Sequence, residues 1–212
     1  MIRTDYDSLE KESGEMKPNT FLDEFHLYLM EDVDEAEALR LKDLILKRSA
    51  EYCGQYREKL TEEERKRAER AIFPFIAAYK VLQEEGWEMF RAFRATRKLF
   101  LGSCSFAFPF FFHLHEQPDS FAMLRQNNLA FMKGDSLKAT IDRDEKDEMF
   151  FTVHRCLYND LCTELGCREV CDIFCDGDYS AMGSVRNIKF IRTGSLGRGD
   201  PCCDFHLFRM EK

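Results

Sequence analysis

The sequence predicts an α+β fold, with N-terminal helices packed on a C-terminal antiparallel sheet of about four strands. Two observations predict it. Apolar residues recur at helical spacing between Asp34 and Phe131, and after Phe131 the pattern shortens to the alternation of half-buried strands. Residues 1–33 read as a polar lead-in, and 34–212 as a single domain, helical over 34–131 and sheet over 132–212.

The elements follow in order. Ala38, Leu41, Ile45 and Tyr52 recur at helical spacing among charged neighbours, which predicts an amphipathic helix from Asp34 to about Leu60. Thr61 followed by Glu64 is a capping-box pattern that starts a second helix. The charged run Glu62 to Arg70 then reads as a solvated face with ion pairs. This helix runs on to about Glu85 with a disturbance at Pro74, where the backbone lacks a donor. Gly86 separates it from a third helix carrying Met89, Phe90, Phe93 and Leu99. The stretch Leu99 to His115 holds six phenylalanines and the pair His113 and His115. It reads as an aromatic plug; the histidines lack a nearby third ligand that would make them a metal site. A short helix near Ser120 to Phe131 precedes strands at 137–143 and 148–155 around the turn Asp144-Glu145-Lys146-Asp147. Cys156 to Gly166 reads as a helix closed by glycine. A second strand pair, 185–193 and 203–209, encloses the glycine-rich segment Gly194 to Pro201.

Composition excludes several functions. The chain of 212 residues carries 39 acidic and 31 basic side chains, a formal charge of −8, which disfavours a nucleic-acid partner. No apolar run is long enough to span a membrane, and the start Met1-Ile2-Arg3-Thr4-Asp5 lacks the pattern of a secretory leader. The expectation is a cytoplasmic protein without a nucleic-acid or membrane partner, with self-association left open.

Seven of the nine cysteines lie between Cys156 and Cys203. Without a secretion signal, reduced thiols are the expectation, and each is first a small buried hydrophobe. Cys156, Cys162, Cys167, Cys171 and Cys175 match neither a zinc ribbon nor a ferredoxin spacing, so no metal and no cofactor are expected. Cys175 near Asp178 pairs a thiol with an acid, which also fits a buried cysteine beside a helix cap. From Arg192 to Phe205, glycines allow backbone amides to approach a small anion. An arginine there can grip a carboxylate through two parallel bonds. A plain hairpin loop uses the same glycines.

Cys156 after a strand, Cys175 with Asp178, then Arg192-Thr193, Gly197, Gly199 and Cys203-Asp204-Phe205 resemble the L-2-amino-thiazoline-4-carboxylic acid hydrolase family. Ser195 and Gly197 stand where that family commonly has threonine and alanine. The resemblance is strong from about Phe150 to Phe208 and compatible back to Glu62; vinyl-reductase-type binding domains are more distantly similar. It implies a hydrolase opening a cyclic amidine-like ring, such as L-2-amino-thiazoline-4-carboxylate to a carbamoyl-cysteine, on a bacterial route to cysteine. Such chemistry needs a nucleophile or water-activating base, a proton donor and a carboxylate clamp. The resemblance implies Cys175 or Cys203 as nucleophile and Asp178 or Asp204 as acid or base, with His206 a weaker alternative. Arg192, Thr193, Gly197, Gly199 and Cys156 would bind a small-molecule carboxylate. A non-enzymatic binding or sensing module is the alternative, and a thiol-ligated metal protein the third.

Overall fold

The α+β architecture follows from how each segment hides its apolar residues. The computed structural model describes residues 20–107, 114, 117–183, 185 and 187–210. The histidine pair His113 and His115, and most of the phenylalanine run before them, lie outside the described residues. Two short helices, α1 (Thr20–Asp23) and α2 (Phe25–Leu29), open the fold. Leu22, Phe25 and Leu29 are buried, so the lead-in expected up to residue 33 gives way to docked helix from residue 20. The apolar triplet at that spacing is too short to show a periodicity by itself.

Helix α3 (Glu35–Gln55) starts at an Asp34 cap, and Ala38, Leu41, Ile45 and Tyr52 form its buried stripe. In α4 (Glu62–Ala71) the capping box is formed: Thr61 Oγ1 accepts from the Glu64 amide, and Glu64 Oε2 accepts from the Thr61 amide. The expected disturbance at Pro74 is a full break at Ile72. There α4 ends and α5 (Phe73–Glu84) begins, with Pro74 in its first turn, where a missing amide costs nothing. Nearly every residue of α5 is buried, and it packs between α3 and α6 (Met89–Ala107) as the central rod of the helical layer. Gly86, at φ +85°, makes the turn between them.

Helix α7 (Ser120–Phe131) leads into the sheet, whose strands are β1 (Leu137–Asp144), β2 (Glu148–Cys156), β3 (Ile188–Ile191) and β4 (Cys203–Arg209). Their order is β1-β2-β4-β3 with every neighbour antiparallel. Met149, Phe151 and Val153 of β2 and Cys203, Phe205 and Leu207 of β4 alternate onto one buried face. Between β2 and β3 the chain forms α8 (Leu157–Glu164), a left-handed Gly166, a short 3₁₀ turn, and α9 (Cys171–Met182). Strand β3 is shorter than the expected 185–193: Asn187 sits at φ +65° before it, and the chain leaves the ladder after Ile191.

Buried apolar side chains gather in two clusters among the described residues. One fills the helical layer and takes in α8 and α9; the other lies on the inner face of the sheet with α7 and Met182. No helix among the described residues is long and apolar enough to cross a membrane.

Candidate active site

The seam between the two clusters holds a cavity of about 730 Å³. Its volume falls within the range of about 300–1,000 Å³ typical of clefts that enclose small molecules. Helix α9 supplies one wall. Cys171 and Cys175 stand one turn apart on the same helical face, and Asp178 follows Cys175 by three residues. Gly177 allows α9 to lie against α6, since a Cβ there would sit 2.8 Å from the Phe100 ring. Strands β2 and β4 supply another wall. Val153 pairs with Cys203 and Phe151 with Phe205, whose rings stack at 4.7 Å.

Cys156, Cys175, Asp178, Arg192 and Cys203 all line this cavity. The hairpin of β3 and β4 makes this possible, because Ile191 opposite His206 carries the chain past the sheet end and turns Arg192 inward. Arg192 is held tightly: only 2% of its side chain is exposed. Nη1 donates to Asp178 Oδ2 at 2.5 Å and Nη2 to the Cys175 carbonyl at 3.0 Å. The guanidinium also lies 4.9 Å from the Tyr179 ring centre and 5.4 Å from that of Phe205. The expected carboxylate clamp is therefore already engaged with a carboxylate of the protein itself.

Burial pushes the Asp178 carboxyl up to about 6, against the opposing pull of Arg192. All three predicted thiols are shifted away from the thiolate form. A hydrogen bond with Cys171, together with burial, drives Cys175 well above the ordinary thiol range, and burial raises Cys156 to about 12. Cys203 is raised by burial although its sulfur accepts the Leu196 amide at 3.2 Å. Cys175 is further tied to the Ser195 hydroxyl at 3.3 Å.

The other predicted residues lie outside the cavity lining. Asp204 alternates to the opposite face of β4, where it accepts from the Thr193 amide at 2.9 Å, from the Thr193 hydroxyl at 2.5 Å and from the Gly194 amide. Against the upward effect of partial burial, these bonds hold its carboxyl below the usual range. Asp204 and Thr193 thus fix the bend that aims Arg192. His206 shares that outer face and stacks on Phe150. Gly197 presses on the thiols of Cys171 and Cys175 from behind, and Gly199, at φ +98°, closes the 3₁₀ turn Leu196–Arg198.

The sequence reading missed the cavity's mouth. Lys66, Arg67 and Arg70 of α4 line it with Lys133 from the turn after α7, so the run read as a solvated face has one side on the site. The available signal was the placing of Lys66, Arg67 and Arg70 on one side of a helix whose acidic and basic residues balance. Glu63, in the same lining, accepts from the Asp135 amide. No group of three or more histidine, cysteine, aspartate or glutamate side chains among the described residues is arranged to hold a metal.

Fold and cavity together define an α+β protein with a recessed cavity between its helical layer and its sheet. A family model described as L-2-amino-thiazoline-4-carboxylic acid hydrolase matches residues 46–207, and the chain belongs to that family. No curated protein matches the sequence. Among solved structures, the Fe(II) unliganded H-NOX protein from K. algicida aligns with a TM-score of 0.40 at 9% identity, covering 92% of this chain and 98% of that one. A second H-NOX family structure, from a study of heme distortion, gives 0.32 at 15%, covering 92% and 96%.

Proposed function

We propose that the chain is a hydrolase opening a carbon–nitrogen bond in a cyclic amidine, of which L-2-amino-thiazoline-4-carboxylate is the form the family description names. The observation that carries this reading is Asp178, an acid raised to about 6 and held by Arg192 at a cavity wall. A carboxylate with that affinity for protons is suited to general base and general acid work near neutrality. As water oxygen bonds to the amidine carbon, Asp178 takes the water proton. The pair of the carbon–nitrogen double bond moves to the ring nitrogen, which receives that proton from Asp178. The remaining hydroxyl proton then passes through the same carboxylate to the ring nitrogen as the carbon–nitrogen single bond breaks, leaving a carbonyl, a free amine and the ionised carboxylate. The neutral thiols of Cys156, Cys175 and Cys203 shape the site, and water is the nucleophile. Eight unpaired cysteines among the described residues support a reducing, cytoplasmic setting.

Ring opening of L-2-amino-thiazoline-4-carboxylate and related cyclic amidines by the purified protein tests this. Asp178→Asn should lower kcat by about 10²–10⁴. Undiminished turnover in that variant would remove Asp178 from the chemistry. The neutral thiols also favour a second reading, a non-enzymatic binding module, for which the same assay would show saturable binding and no turnover.

A further inference from the structure

We infer that the ligand of this cavity is an amphipathic carboxylate with an extended apolar body, and that Arg67 is the residue that binds its acid group. The inference rests on the cavity being the functional site proposed above, but concerns what it binds.

Size and lining point to the apolar body. A five-membered ring with one carboxylate fills a minor part of about 730 Å³, and the rest of the space faces aromatic and aliphatic side chains. Phe100, Phe131, Phe151, Phe174 and Phe205 contribute to the wall from α6, α7, β2, α9 and β4, with Met182 among them. Such a surface gains little from a small polar molecule and much from a hydrocarbon or aryl group that removes it from water.

Charge and an unsatisfied donor identify the acid-binding end. In a chain of net charge −8, four cations, Lys66, Arg67, Arg70 and Lys133, line this cavity beside one carboxylate, Glu63, and Lys66 pairs with Glu62 at 2.7 Å. Lys66, Arg70 and Lys133 are exposed, whereas Arg67 is recessed, with its guanidinium 4.3 Å from the Phe131 ring centre. It also shares a side-chain hydrogen bond with Tyr158, whose pKa burial raises and Arg67 lowers. Arg67 Nε is buried and has no hydrogen-bond partner among the described residues. A buried donor without an acceptor carries a free-energy penalty, which a turn of the Arg67 side chain toward a bound carboxylate would lift. Arg192, the acid clamp expected from sequence, has both terminal nitrogens engaged inside the protein. Arg67, which shares a hydrogen bond with Tyr158, is therefore the recessed guanidinium of the lining that a carboxylate can meet.

Calorimetric titration of the whole protein with straight-chain carboxylates from acetate to dodecanoate, and with the matching primary alcohols, tests the inference without requiring turnover. Affinity should rise about threefold to fourfold per methylene until the cavity is full. In Arg67→Met, affinity for decanoate should fall about tenfold to a hundredfold while that for decanol stays within about twofold. In the unmodified protein, added salt should weaken decanoate and leave decanol unchanged, a readout that needs no variant to fold. An affinity independent of chain length, or carboxylates binding no better than alcohols at any salt concentration, would overturn the inference. Binding and ring opening are read separately: chain-length-dependent carboxylate binding without ring opening would overturn the hydrolase reading alone, and ring opening with an affinity independent of chain length would overturn this one alone.

Discussion

At the residue scale, the pair of Asp178 and Arg192 sets both a function and a cost. The folded protein holds the Asp178 proton more tightly than an unfolded chain, where the ordinary value is 3.8. Its contribution to stability is therefore greatest below about 3.8 and is lost as the pH rises to about 6. Catalysis by a carboxylate base requires the opposite side of that range. Turnover should accordingly be level above about 6 and fall tenfold per unit below it. Arg192→Lys should shift this acid limb upward, by about one unit, because an ammonium cannot replace both guanidinium bonds. The same substitution should lower unfolding stability by about 1–3 kcal/mol. A pH–rate profile and a denaturation curve on one variant check both; an unmoved limb would mean that Asp178 does not set the profile. Of the five residues that the sequence suggests would converge through a hairpin, Cys175, Asp178, Arg192 and Cys203 line one cavity, and Asp204 does not, because it alternates to the other face of β4. The partner of Arg192 was not legible in the sequence, since an arginine beside a glycine loop reads equally as a clamp for a ligand or for a neighbouring aspartate.

At the scale of elements, α9 and the loop before β4 are fitted to each other through one missing methyl group. A Cβ at Gly197 would lie 2.9 Å from Cys171 Sγ and 3.1 Å from Cys175 Sγ. In this chain two sulfurs occupy the room that a methyl group there would need. Gly197→Ala should destabilise by about 1–3 kcal/mol through overpacking. Adding Cys171→Ala, which removes the nearer sulfur, should recover at least half of that loss in urea denaturation. Losses that simply add would place the strain elsewhere. Alternation over 148–155 and 203–209 made the long strands readable before the structure was known, as the capping box did the start of α4. Helix α9 was harder: its cysteines and glycine give no strong propensity, and its helicity comes from packing Ile173 and Phe174 into the helical layer. The cavity-facing side of α4 was hidden for a different reason. Cations at helical spacing look alike whether they face water or a cleft, and only the position of α7 and β1 tells them apart.

At the scale of the whole molecule, α4 is joined to the sheet by Glu64, which is 5% exposed and bonded to its own helix cap, while Arg155 of β2 reaches it at 2.8 Å. The tie spans the seam along which the cavity runs. Phe100, Phe174 and Cys175 on one side belong to the helical cluster, and Phe151, Met182 and Phe205 on the other belong to the sheet cluster. A cavity between two cores weakens their cooperativity, because each can open without first tearing the other apart. In the empty protein, amide hydrogen exchange should therefore report two opening free energies, one shared by α5 and α3 and another by β2 and β4. Saturating decanoate should draw the two values together as well as raise them; one common value in the empty protein would contradict this. The bound molecule would then act as the missing piece of a single hydrophobic interior, and the degree to which this chain behaves as one folding unit would depend on how often its cavity is occupied.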